Sequence, residues 1–247
     1  MKNIIDIIIL SLVVDDKTFL KTKKCIESYI NTADDLISKI IVVESNNNFN
    51  KSYNNEKVKI IKPNEKFNYN KFFNIALSEC KSKYIMGPNN DLRIQPNCIQ
   101  TLINELEEND NLSSLCPIDR DWHAHKKMYL PNDSKVYYGY NVSLHIFGCV
   151  FCCKRKIFEK IGYLDENFYF FYQDNDYALC LKHNKLLHGV HTGARVCHES
   201  GGTDKIAPEH CKYTPKNMNE QGDILSRKWN NEPFRSGGYK KFREYNY

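Results

Sequence analysis

Four short apolar stretches in the first part of the chain, the first two rich in Ile and Val, constrain its fold most. They are Ile4–Leu10, Lys39–Val43, Lys57–Ile61 and Lys83–Gly87. A continuous β-branched run has no polar face. It therefore belongs to a strand covered on both sides, as in a parallel sheet. Between the first two runs, Asp15 and Asp16 offer a turn and a helix cap. Phe19, Leu20, Ile26, Tyr29 and Ile30 then recur near helical spacing. Strand, helix and strand in that order make a βαβ unit, and ligands of such sheets bind beyond the carboxyl ends of the strands. Glu44, Ser45 and Asn46 follow the second run at such an end.

The rest of the chain alternates in the same way. Pro96 opens a helix whose Ile99, Leu102, Ile103 and Leu106 share one face, and Leu112–Cys116 is a further strand. Asp119–Val142 has no periodicity and reads as a long functional loop. Its Trp122, His123, Tyr137, Tyr138 and Tyr140 suit stacking on a sugar face or ordinary loop packing. Ile146–Cys153 returns to a strand, in which the small Gly148 and Cys149 let a ligand approach the backbone. A short helix follows over Lys154–Ile161. Gly162–Phe168 is then a turn, with Asp165 as its capping residue. A helix starting near Asp174 points Asp174 and Asp176 roughly 200° apart, so only one of them can serve a small site. Leu186–Val190 reads as an edge strand, and Met218–Trp229 as a helix.

Composition narrows the class. The chain has 247 residues, 41% hydrophobic and 26% charged, which suits one globular core. A net charge of +5 admits an anionic ligand without singling out nucleic acid, and no nucleic-acid partner is expected. The ten cysteines lie mostly in apolar runs, as buried reduced thiols do. Cys149-x-x-Cys152-Cys153 has no second paired cluster to make a zinc site, so a reducing compartment is expected. The N-terminal apolar run, broken by Asp6, is far shorter than the ~20 residues of a membrane span. No cleavage-type region follows it. The expected location is the cytoplasm.

Four features in order give a more specific reading. They are Phe147–Gly148–Cys149, then Gly162–Tyr163–Leu164–Asp165–Glu166–Asn167–Phe168, then Gln173–Asp174–Asn175–Asp176, and finally His198 before Gly201–Gly202. Together they resemble the family 2 glycosyltransferases of GT-A fold. The resemblance implies an α/β fold of GT-A type, a Rossmann-like nucleotide-binding sandwich on a central, mostly parallel, mixed sheet. It implies one domain over 1–247, with a nucleotide-binding half at 1–115, an acceptor-binding half at 116–230 and a basic aromatic tail at 231–247.

The implied activity is inverting transfer of a sugar from a nucleoside diphosphate sugar to a hydroxyl, in glycan biosynthesis. Asp174 holds the place of the catalytic base. Near a helix N-terminus it is expected to be held ionised. The implied nucleotide-binding residues are Ser11, Glu44, Asn46, Lys71, Asn74, Asn89 and Asn90. Of these, Glu44 reads the base and favours UDP, Asn74 lies on the helix after an Asn-rich turn, and Lys71 faces the diphosphate. Asn89–Asn90–Asp91 replaces the usual acidic motif and leaves one carboxylate. Asp91 and His198 are the implied ligands of Mn²⁺ or Mg²⁺. Trp122, Gly148 and Cys149 are the implied acceptor-binding residues. The acceptor is a glycan, lipid-linked or protein hydroxyl. The tail from Arg235 to Tyr247 admits peripheral membrane contact or a homo-oligomer. Two alternatives stand beside this reading. One is a nucleotidyltransferase. The other is a nucleotide-sugar- or carbohydrate-binding protein without turnover, which Asn89, Asn90 and Gln173 favour.

Overall fold

The structure is a computed structural model that describes residues 3–128, 134–199 and 215–229. Strand β1 (Ile5–Ser11), helix α1 (Asp16–Ala33), β2 (Ile37–Glu44) and β3 (Val58–Ile61) follow one another. Helix α2 (Tyr69–Ser78), β4 (Tyr84–Pro88), β5 (Leu92–Ile94) and α3 (Cys98–Glu108) come next. The chain continues through β6 (Leu112–Asp119), a short α4 (His123–Met128), β7 (Val136–Tyr138) and β8 (Val150–Lys154). A 3-10 turn then leads into α5 (Phe158–Ile161), α6 (Gln173–His183), β9 (Leu187–His198) and α7 (Pro215–Lys228).

Among the described residues the strands form one sheet in the order β3-β2-β1-β4-β8-β6-β9-β5, with β7 also on β9. Strands β3, β2, β1 and β4 are mutually parallel. Strand β8 runs antiparallel to β4 and β6, which leaves β6 and its parallel neighbour β9 pointing the same way as β1. The α/β fold with a mostly parallel central sheet is therefore as the sequence reads.

Both faces of the sheet are covered, which explains the uninterrupted apolar strands. On one face Ile7, Ile9 and Val42 pack with Ile26 and Tyr29 of α1 and with Ile99, Leu102 and Leu106 of α3. On the other, Ile8, Ile41 and Ile85 pack with Phe72, Phe73 and Ala76 of α2 and with Tyr177 and Leu181 of α6. Each large apolar side chain buried this way contributes roughly 1.5–3 kcal/mol relative to exposure. Asp6, the one charge inside β1, is buried and accepts hydrogen bonds from the Lys81 and Ser82 amides at 2.8 and 2.9 Å. It joins the entry of β4 to β1, and its polarity is satisfied rather than disruptive. Helix α1 starts on a capping box, with the Thr18 amide on Asp15 Oδ1 at 2.7 Å and the Asp15 amide on Thr18 Oγ1 at 3.0 Å.

Several expectations are corrected. Strand β9 is no edge strand. It runs twelve residues between β6 and β5 and carries its chain to His198. Gly148 and Cys149 lie in the turn before β8, not within the strand. The stretch 119–142 holds α4 and β7 and so is not loop alone. Helix α3 begins at Cys98 after a left-handed Asn97, two residues later than Pro96. The nine described cysteines are free thiols, six of them buried and three part-exposed. Among the described residues no helix is long and apolar enough to cross a membrane.

Candidate active site

Strand register brings the sequence candidates to one end of the sheet. Ser11 lies opposite Glu44, and Leu10 bridges to Asn89. Asp119 ends β6 opposite Val196, two residues before His198. Because β8 is antiparallel, the Gly148–Cys149 turn that precedes it comes to the same end. The carboxyl ends of β1, β2, β4, β6 and β9 thus frame one region, where open α/β sheets bind ligands.

On the β2 side, Glu44 is fully buried. Its Oε1 accepts from the amides of Val13 at 3.0 Å and Asn46 at 2.8 Å, while Asn46 Nδ2 donates to the Val13 carbonyl at 2.7 Å. These bonds tie the loops after β1 and β2 together. Glu44 Oε2 has no hydrogen-bond partner among the described residues. The rings of Phe19, Phe49 and Tyr53 stack beside this end, an aromatic cluster the sequence reading had not grouped.

Other expected nucleotide residues are spent on the fold. Ser11 Oγ meets Thr22 Oγ1 at 3.1 Å, and Asn90 Nδ2 donates to the same hydroxyl at 3.0 Å. Both side chains therefore lie under the site, fastening β1 and the β4 loop to α1. Asn74 faces elsewhere: its Nδ2 donates to the Leu164 carbonyl at 2.8 Å and its Oδ1 accepts from the Leu164 amide at 2.9 Å. It fixes the Gly162–Phe168 turn. The Lys71 ammonium pairs with Glu65 at the surface. Asn89 donates its amide to the Cys149 carbonyl at 2.8 Å, which joins the two loops across β4 and β8.

Asp91 and His198 meet directly, Oδ1 to Nε2, at 3.0 Å. Antiparallel pairing of β5 with β9 sets Leu92 opposite His198, and the Glu199 amide donates to the Asp91 carbonyl at 3.0 Å. The His198 amide donates to Asp119 Oδ2 at 3.1 Å. Asp119 thus anchors the histidine, a role the sequence reading missed because it joins residues far apart in the chain. The His198 ring stands edge-on to Phe147, and its Nδ1 lies 3.8 Å from Cys149 Sγ. Burial works against the charged imidazole, but the bonds to Asp91 and Cys149 outweigh it and raise His198 to about 10. Burial also pushes the Cys149 thiol above its ordinary value, so it stays neutral.

The 3.0 Å contact is a hydrogen bond that holds a proton on His198. A divalent cation would have to displace that proton to take Asp91 and His198 as ligands. A carboxylate with an imidazole suits Mn²⁺ better than Mg²⁺. Among the described residues no third His, Cys, Asp or Glu completes a cluster.

Asp174 opens α6 behind a left-handed Tyr172, φ 60°, with no side chain capping the helix. Its Oδ1 accepts from the Asn175 amide at 2.9 Å. The carboxylate lies against Gly148, where an added Cβ would stand 2.9 Å from Asp174 Oδ2. The glycine therefore makes room for a carboxylate, whereas the sequence reading had it admitting the acceptor. Burial raises Asp174 to about 6, against the pull of the amides of Asn175 and of Asp174 itself. Desolvation thus wins over the helix end, the reverse of the expected balance.

Asp176 turns away as helical geometry requires. It receives Trp229 Nε1 at 2.8 Å and Lys228 Nζ at 3.0 Å. Cys149 lies between the two halves of the site, sensing the charges of both Asp91 and Asp174. Tyr69, from α2, was not singled out in the sequence. Burial, with the charges of Cys149 and Asp174, raises its phenol well above the ordinary value. Trp122 donates its indole N–H to the Ser143 carbonyl at 3.0 Å and packs its ring on Phe147. Tyr137 and Tyr138 lie in β7, and the Tyr140 hydroxyl bonds the Leu186 carbonyl at 3.0 Å. Gly201–Gly202, Cys211 and the tail from Arg235 lie outside the described residues.

The mixed, mostly parallel α/β sheet is that of the GT-A fold of glycosyltransferases. A family model described as Glycosyl transferase family 2 matches residues 20–162, more than half the chain, and the chain belongs to that family. Asp174 and His198 fall beyond the matched stretch. The chain is also similar to a solved structure, the crystal structure of GalNAc-T7 with UDP, GalNAc and Mn2+. The TM-score is 0.65 at 12% identity, covering 98% of this chain and 55% of that one. This chain therefore spans about half the length of that protein. No curated protein matches it.

Proposed function

We propose that this chain is an inverting hexosyltransferase, using a nucleoside diphosphate sugar, with UDP favoured, and a hydroxyl acceptor on a glycan, lipid carrier or protein. The observation that carries the reading is the Asp174 carboxylate seated on Gly148, with Cys149 between it and the Asp91–His198 pair. Asp174 accepts the acceptor's proton as that oxygen attacks the anomeric carbon from the face opposite the diphosphate. A carboxylate raised to about 6 is still ionised at neutral pH, and is a stronger base than an exposed one. Asp91 and His198 would hold a divalent cation, Mn²⁺ by preference, which offsets charge on the departing diphosphate. The similar GalNAc-T7 structure, solved with UDP and Mn2+, supports that choice. Glu44 Oε2 is the unspent acceptor where a nucleobase N–H is expected.

The test is UDP release from UDP-glucose, UDP-galactose and their N-acetylated counterparts with Mn²⁺, water serving as acceptor. Asp174→Asn should lower turnover by ~10²–10⁴ and leave UDP affinity unchanged. Release of pyrophosphate would favour a nucleotidyltransferase. Binding with no turnover at any Mn²⁺ concentration would favour a binding protein.

A further inference from the structure

The backbone on both sides of Asp174 is held from a single helix. The segment leading into α6 finds partners for its amides on another helix. Those of Phe170 and Phe171 donate to Gln221 Oε1 of α7, at 2.9 and 3.0 Å. Gln221 is fully buried, and its Nε2 is fixed on the Asn217 carbonyl of its own helix at 3.1 Å. One turn on, buried Leu225 packs against Phe168 and Tyr172. Beyond it, Lys228 and Trp229 take the buried carboxylate of Asp176. Lys228 also bonds Asp165 Oδ2 at 2.8 Å, and the Trp229 ring packs on His183. Positions 221, 225, 228 and 229 follow the i, i+4, i+7, i+8 spacing, so a single stripe of α7 and the residue that follows it makes all these contacts.

The anchor for this stripe is itself fixed. Asn70 Nδ2 donates to the Asp165 carbonyl at 2.7 Å, and Asn68 Nδ2 to the Glu166 carbonyl at 2.7 Å. Helix α2 thus holds the Gly162–Phe168 turn. Helix α7 spans from that turn to the first turn of α6, and Asp174 lies in the bridged interval.

We propose that α7 is a positioning clamp for Asp174, with Gln221, Lys228 and Trp229 acting on transfer through the α6 backbone rather than by touching substrate. The inference rests on Asp174 being the base. Asp176 is the clamp's anchor, which explains a second carboxylate two residues from the first with no place in the site. A misplacement of about 1 Å costs about 10²-fold in rate, so loss of one clamp bond should cost about tenfold. It should also let water reach Asp174.

The experiment compares Gln221→Leu, Gln221→Glu and Trp229→Phe in the wild-type and Asp174→Asn backgrounds. The readouts are UDP release from the UDP-sugar hydrolysed fastest, its pH profile, UDP affinity and melting temperature. Gln221→Leu and Trp229→Phe should lower turnover about tenfold at unchanged UDP affinity and move the acid limb to lower pH. Gln221→Glu keeps an oxygen for the two amides and should recover most of the rate. In the Asp174→Asn background neither loss should recur, because the carboxylate being positioned is gone. Wild-type turnover and an unmoved limb in folded but less thermostable variants would reduce α7 to a prop and overturn the clamp, as would losses that multiply with Asp174→Asn. If Gln221→Leu does not fold, Trp229→Phe, which keeps an aromatic ring of smaller size and removes the indole N–H, carries the test. Full turnover in Asp174→Asn alone would instead sink the base assignment, a separate outcome.

Discussion

Gly148→Ala should separate activity from stability. A Cβ at this position would stand 2.9 Å from Asp174 Oδ2, and ordinary contact begins at 3.4 Å. The carboxylate must therefore retreat by about half an ångström, and the cheap route is rotation away from Gly148. The backbone there is not left-handed, so alanine brings no strain of its own. Gly→Ala at a compatible position stabilises by about 0.4–1 kcal/mol through the unfolded chain, which roughly offsets the crowding. The protein should then melt within a few degrees of wild type. If about 1 Å of misplacement costs about 10²-fold, half of that costs about tenfold in turnover. UDP release under saturating donor reads the rate, and calorimetry with UDP and Mn²⁺ reads the donor side, which should not change. Wild-type turnover in Gly148→Ala would refute the reasoning. So would a tenfold loss that persists in the Asp174→Asn background, because the glycine would then be serving something other than that carboxylate.

Two further outcomes follow from the same site. Turnover should rise with pH through about 6 and level off above it, since the base works ionised and burial has raised it to that value; an acid limb at the pH of an exposed aspartate would show that Asp174 is hydrated or is not the base. Mn²⁺ should tighten UDP binding, and Asp91→Ala should remove that gain without unfolding the chain; equal UDP affinity with and without Mn²⁺ in the wild type would end the metal assignment.

The parallel strands were legible because burial on both faces leaves no polar residues to confuse the pattern, as in Ile7–Ile9 and Ile40–Val43. Strand β9 was not. Gly189, Thr192 and Gly193 dilute its apolar signal, and its register with β6 jumps between Pro117–His191 and Ile118–Arg195, so no period of two survives along it. A strand read as ending at Val190 could not reveal that it delivers His198. Strands β5 and β7, three residues each, are too short for any period to register.

The site divides along the same physical line. Sequence order showed which polar residues reach the carboxyl end of the sheet, but not which way each one faces. Ser11, Asn74 and Asn90 stand near the expected places and are consumed by Thr22 and Leu164, because a buried polar group takes the first partner the fold offers. Asp119 escaped notice for the converse reason, since the backbone it anchors comes from β9, distant in sequence. Asp174 and Asp176 were separable in advance only because both lie on one helix, where a two-residue step fixes their relative direction without knowledge of the rest. That local geometry allowed only one of the two to face the site, the family resemblance selected Asp174, and neither could say what receives Asp176. The receiver is α7, so the proposed base would depend on a helix that begins well beyond the segment carrying the recognisable motifs.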